Sequence, residues 1–159
     1  MADGDELTHL GADGSARMVD VSEKAVTKRQ ATAQAVLRTT PEVMRLLVAG
    51  ELPKGEALAV ARVAGILGAK QTSSLVPLCH PLPISSAAVD FEPAESSVSI
   101  VATVKTTGVT GVEMEALTAA SIAALTVYDM IKAVDRAAVI GEVKVLAKSG
   151  GASGDWEQA

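Results

Sequence analysis

Thr110-Gly111-Val112-Glu113-Met114-Glu115-Ala116-Leu117 opens a stretch that carries no charge from Ala116 to Tyr128 and closes on Asp129-Met130-Ile131-Lys132. Within it Met114, Leu117, Ser121, Ala124, Tyr128 and Ile131 recur at spacings of three and four, the period of one face of an α-helix. Thr110 and Glu113 fit a capping box at its start, a hydroxyl and an acid that each close a free N–H of the first turn. The flanking segments read as the sheet on which this helix lies.

Before the helix, Val98, Ile100, Ala102 and Val104 alternate in one strand. Val89 and Phe91 alternate in another, and a turn near Pro93–Ser97 joins the two. After it, Val139 to Lys148 reads as a last strand that runs into Ser149-Gly150-Gly151-Ala152-Ser153-Gly154. Further upstream, a helix over Glu56–Ser73 carries Leu58, Ala61, Ala64 and Leu67 along one side. Leu52-Pro53-Lys54-Gly55 is a tight turn before it. Thr40-Pro41-Glu42 starts a short helix that stops at Gly50. Thr27–Arg38 alternates Ala31, Ala33 and Ala35 with Gln30, Thr32 and Gln34, which predicts a strand with one wet face; alanine is a poor strand former, so a helix is the alternative. A short strand is expected at Met18–Val21, and no internal repeat is present.

The order strand, helix in two pieces, strand, strand, helix, strand predicts an α+β fold: a single ferredoxin-like domain with an antiparallel sheet and helices on one face. The expected boundaries are a polar tail over 1–16, the domain over 17–148 and a Gly/Ser-rich tail over 149–159. A chain of 159 residues suits one such domain. Hydrophobic residues make up 48% of it but aromatics only 2%, so the core is built from small aliphatic side chains. Stability then leans on contacts between subunits.

A net charge of −5 argues against a nucleic-acid partner, which calls for a basic patch, and leaves room for a phosphorylated small molecule. Cys79 is the only cysteine, so no intrachain disulfide can form. Met1-Ala2-Asp3-Gly4-Asp5-Glu6 is acidic, unlike a signal peptide, and Ser121 and Thr126 interrupt the apolar run Ala119–Val127. No membrane association is expected, and a cytoplasmic location is.

Several residues could carry chemistry. Lys54 projects from its turn, although alone it reads as a solvated lysine. Cys79-His80 lies among Pro77, Pro81 and Pro83. One Cys and two His are too few for a structural zinc site, so a stiff loop presenting His80 as a donor or acid/base is the better reading. Glu113 and Glu115 suit the start of a helix, and two carboxylates there make it a poor place for phosphate. Asp129 and Lys132 can pair across three residues, as an exposed ion pair worth well under ~1 kcal/mol or as the border of a buried interface. Lys148 and the Gly/Ser loop after it could cradle phosphate through backbone N–H groups, but the residue order is not that of a P-loop; a disordered tail is the alternative.

Taken together, Met18-Val19-Asp20-Val21-Ser22-Glu23-Lys24, Ala61-Arg62-Val63-Ala64-Gly65-Ile66, Pro77-Leu78-Cys79-His80-Pro81 and the run Thr110–Lys132 resemble the molybdenum cofactor biosynthesis protein C family. These are the cyclic pyranopterin monophosphate synthases, and the resemblance runs from about Leu7 to Trp156. It implies a ferredoxin-like subunit in a homohexamer, a trimer of dimers. The implied substrate is 3′,8-cyclo-7,8-dihydro-GTP, supplied by a separate radical enzyme. The family's catalytic Asp falls on Asp129 and its neighbouring lysine on Lys132. Its turn lysine falls on Lys54 and its loop histidine on His80. Substrate-contacting positions fall on Leu78, Cys79, His80, Met114 and Glu115, with Glu113 a further acid and Arg29, Lys24 and Lys148 additional basic residues. Ala152 stands where a lysine is common in the family, a departure that bears on any phosphate role of the tail.

The implied reaction opens and recloses rings and expels pyrophosphate, which asks for proton transfer and charge stabilisation without redox chemistry. No resident cofactor or metal is expected, although Mg²⁺ can accompany the triphosphate. A ligand-sensing module that does no chemistry has no evident use for Lys54, His80, Asp129 and Lys132 together, and a metal-dependent hydrolase would betray itself by bound metal. The resemblance also places both ends of one helix in the active site. Glu115 and Asp129 lie about 21 Å apart along it at ~1.5 Å per residue. Two subunits are therefore expected to meet so that the start of one helix, with His80, faces Asp129 and Lys132 of the neighbour.

Overall fold

The structure is a computed structural model that describes residues 10–159; the first part of the expected polar tail lies outside the described residues. The elements run β1 (Thr27–Arg38), α1 (Pro41–Ala49), α2 (Ala57–Leu75), β2 (Ile84–Pro93), β3 (Ser97–Gly108), α3 (Glu113–Ile131), β4 (Val139–Ser149) and β5 (Trp156–Glu157). They form one α+β domain with a five-stranded sheet in the order β2-β3-β1-β4-β5, antiparallel throughout. Element order and sheet are compatible with the ferredoxin-like arrangement.

β1 is the strand its alternation predicts. Ala31, Ala33, Ala35 and Leu37 are buried while Gln30, Thr32 and Gln34 stay half-exposed. Pairing with β3 on one side and β4 on the other overrides the weak strand preference of alanine. In β3, Val98, Ile100, Ala102, Val104 and Thr106 are buried, and α3 packs over both strands. Between β2 and β3 the Ala94 N–H donates to the Ser97 carbonyl at 2.8 Å, at the turn expected there. α1 starts as predicted, with the Thr40 hydroxyl accepting from the Val43 N–H at 3.3 Å and Pro41 as first helical residue.

The small side chains let backbones approach. Ala116, Ala119, Ala120, Ala123 and Ala124 form the buried middle of α3, with Gly65, Gly68, Ala69 and Thr72 of α2 buried against it. A Cβ on Gly65 would come within 2.9 Å of both the Ala119 carbonyl oxygen and Val89 Cγ2. This corrects the expected stripe on α2. Ala61 is buried, but Leu67 is 53% exposed and stands with Val60 and Val63 on the outer side. The packing surface is the glycine side.

Two more expectations are corrected. No strand forms at Met18–Val21; Asp20 instead accepts from the Ser22 N–H and hydroxyl at 2.9 and 2.7 Å, a local turn that competes with extension. The capping box does not form. Val112 is the N-cap, with no side-chain bond, which makes Glu113 the first helical residue and frees its carboxylate. Finally, α3 is by length and composition long and apolar enough to cross a membrane, yet half of that stretch is buried, packed against the sheet and α2.

Candidate active site

Two groups of side chains sit at opposite ends of α3. At its C-terminal end, Lys54 leaves a turn closed by the Gly55 N–H donating to the Leu52 carbonyl at 2.9 Å. Gly55 takes a φ of 91°, where a side chain would be strained. Lys54 Nζ donates to Asp129 Oδ2 and to the Asp129 backbone carbonyl, both at 2.9 Å. It thereby caps one of the free carbonyls at the negative end of the helix. Lys132 Nζ lies 2.7 Å from Asp129 Oδ1, the pairing that the three-residue spacing predicts. The three side chains are about half exposed. Hydrogen bonds from Lys132 and then Lys54, with the charges of both, lower the Asp129 carboxyl to about 2. The same bond to Asp129 raises the Lys132 ammonium. Two cations on one carboxylate leave a net positive cluster open to solvent.

At the N-terminal end, the proline-braced loop sets His80 so that its Nε2 donates to the Val19 carbonyl at 2.8 Å. The carbonyl can only accept, so the Nε2 position carries the proton. Leu78, Cys79, His80, Met114 and Glu115 line one cavity of about 580 Å³. Glu115 is buried, and burial raises its pKa, with the nearby Glu113 charge adding to the shift and a bond from its own backbone N–H opposing it. Burial, with Glu115 behind it, also raises the Cys79 thiol.

A second cavity, of about 660 Å³, shares Lys24 and Glu113 with the first and is also lined by Arg29, Lys148 and the loop through Ser153. Lys148 Nζ lies 3.3 Å from Glu113 Oε1 and donates to the Ser153 hydroxyl at 2.9 Å. The helix start is therefore less hostile to phosphate than its two carboxylates suggest: one faces Lys148, with Lys24 and Arg29 beside it, and burial favours the neutral form of the other. The segment after β4 is ordered by pairing. Gly150 N–H donates to Asp155 Oδ1 at 3.0 Å, and Trp156 and Glu157 pair with Lys148 and Ala147.

Of the residues singled out in the sequence, Leu78, Cys79, His80, Lys24, Arg29, Glu113, Met114, Glu115 and Lys148 gather at one end of α3, and Lys54, Asp129 and Lys132 at the other. α3 is unbroken between them. Sequence reasoning passed over Thr27, whose Oγ1 is buried without a partner and which lines the larger cavity, and Ser153, which holds Lys148. Neither carries a sequence signal beyond being a hydroxyl. Among the described residues, no three His, Cys, Asp or Glu side chains are arranged so that they could hold a metal ion.

A carboxylate lowered by two lysines at one end of α3, and another raised by burial in a cavity with a histidine at the other, are groups of the kind that do acid–base work on a polar small molecule. The chain belongs to the MoaC family, whose model matches residues 18–151. It is 63% identical over 153 residues to a Herpetosiphon aurantiacus protein, covering 95% of this chain and 93% of that one. It is 64% identical over 151 residues to one from Corynebacterium efficiens, with 95% and 97% covered. A Streptomyces coelicolor relative is 57% identical over 155 residues, with 98% and 91% covered. Each is named cyclic pyranopterin monophosphate synthase.

Proposed function

We propose that this chain is a cyclic pyranopterin monophosphate synthase of molybdenum cofactor biosynthesis, a phosphorus–oxygen lyase that converts 3′,8-cyclo-7,8-dihydro-GTP to cyclic pyranopterin monophosphate and pyrophosphate. The observation that carries this reading is the 57–64% identity, over at least 95% of the chain, to relatives under that name. The geometry supports it. A substrate hydroxyl attacks the α-phosphorus, its proton passes to a base, and the bond to the β-phosphate breaks with pyrophosphate leaving. Asp129 stays ionised at neutral pH and, as a weak base, suits holding Lys132 and Lys54 in place, while those lysines can donate protons or steady negative charge. Glu115 and His80 at the far end suit proton transfer on the rings, and Lys24 and Lys148 flank the cavity proposed for the triphosphate. This chemistry asks for no resident cofactor; Mg²⁺ enters as counter-ion of the triphosphate. A cytoplasmic location fits a substrate derived from GTP.

With one rigid helix between them, the two clusters belong to one site only if different subunits supply them. The proposed assembly is a homohexamer built as a trimer of dimers, with each site between two chains. Exposed Val60, Val63 and Leu67 on α2 and Leu125 on α3 are apolar surface that such contacts would cover. The reading is tested by incubating purified protein with the cyclised GTP intermediate and detecting products by mass. Formation of the cyclic pterin with one pyrophosphate per turnover supports it; recovery of unchanged substrate refutes it.

A further inference from the structure

Arg29 lines the larger cavity, where its charge invites assignment as a phosphate ligand, but two of its N–H donors are already held by the backbone. Nε donates to the Gly108 carbonyl at 3.1 Å and Nη2 to the Val109 carbonyl at 3.2 Å. Gly108 closes β3 and Val109 begins the link to α3, so the guanidinium grips the segment that delivers Glu113, Met114 and Glu115. On its other side lies Gly151. A Cβ there would fall 2.0 Å from Arg29 Nη1, and Gly151 holds a φ of 83°, so a side chain would be strained and would push the guanidinium aside. Gly150 approaches as closely; its Cβ would lie 2.1 Å from the Lys28 carbonyl oxygen. The planar fork thus sits between the two walls of the cavity, the acidic helix start and the loop that carries Ser153 to Lys148.

We infer that Arg29 is a positioning residue. It fixes the spacing between the Glu113–Glu115 wall and the Lys148–Ser153 wall, and it does so through the shape of its guanidinium rather than through its charge. A lysine keeps the charge and can bond two oxygens, as Lys54 does, but it has no rigid planar fork to hold two carbonyls at a fixed spacing. The inference rests on the proposed synthase reading for its kinetic test and on the fold alone for its exchange test.

The experiment compares wild type, Arg29→Lys and Arg29→Ala. Turnover of the cyclised GTP intermediate is expected to fall about 10- to 100-fold in both variants, within about threefold of each other, the scale of loss when reacting groups are misplaced by ~1 Å. The loss is expected in kcat with KM little changed, and added guanidinium ion restores part of the Arg29→Ala rate. Amide exchange over 109–115 is expected to quicken in both variants while exchange in the middle of α2 stays as in wild type. Arg29→Lys activity within about threefold of wild type, or unchanged exchange over 109–115, overturns the inference. If Arg29→Ala does not fold, Arg29→Lys alone decides. Failure of wild type itself to turn over the substrate refutes the synthase reading and leaves the exchange result to judge Arg29.

Discussion

The two ends of α3 handle their acids in opposite ways. Asp129 is half exposed, bonded through both oxygens to ammonium groups, and held ionised down to about pH 2. Glu115 is buried and its pKa is raised. One helix thus keeps a carboxylate as an anion at its C-terminal end by pairing it, and favours the neutral form of another at its N-terminal end by drying it. The difference teaches that the charge state of an acid follows what its side chain meets. By the helix dipole alone the order would be reversed, with the anion favoured at the N-terminus.

The largest effects should fall on the paired end. Asp129→Asn, Lys132→Ala and Lys54→Ala are each expected to lower turnover by at least ~10²-fold, the scale of positioned acid/base groups. Melting temperatures should move by about 2 °C or less, because exposed substitutions shift stability by under ~0.5 kcal/mol. Product assays beside thermal melts check this, and near-normal turnover by Asp129→Asn would remove that end from the chemistry.

The middle of the helix should respond in stability instead. In Gly65→Ala the new methyl meets the Ala119 carbonyl oxygen and Val89 at 2.9 Å. Overpacking costs ~1–3 kcal/mol, against a helix-propensity gain of about 1 kcal/mol. A net fall in melting temperature of a few degrees is expected, with turnover per folded molecule kept. A rise in melting temperature would show that α2 and α3 can move apart freely.

The dry end gives the smallest shift, and one of opposite sign. Folding raises the Glu115 pKa, so its contribution to stability is fully present below the unfolded value near 4.5 and is lost as pH rises through the folded value. Glu115→Gln, which stays neutral, should therefore melt about 1–3 °C above wild type at pH 7 and match it at pH 4. Equal melts at both pH values would show that the carboxylate loses no solvation on folding.

Much of this was legible in the sequence, for reasons that differ by element. Alternation marked β1 and β3, Thr40-Pro41 marked α1, and spacing marked the Asp129–Lys132 pair. Apolar patterning misplaced the packing side of α2, because a hydrophobic count gives no weight to Gly65 and Gly68, where absence of a side chain makes the contact. The capping-box pattern failed because Gly111 and Val112 stay in the link, and the helix begins at the acid itself. Strand β5 was hidden in a Gly-, Ser- and Asp-rich segment whose two paired residues are too few for any period. Lys54 and Asp129 meet across 75 positions, a separation that no local pattern reaches.

That one site draws on both ends of α3 from different chains is tested most directly by mixing. Glu115→Ala and Asp129→Ala proteins are each expected to be nearly inactive alone, since every site in either carries a lesion. After dissociation and reassembly, a hybrid dimer holds one doubly damaged site and one intact site. Random mixing makes about half the dimers hybrid, so roughly a quarter of wild-type turnover should return. No recovery, with subunit exchange confirmed by native mass spectrometry, would place each site within a single chain and contradict the account.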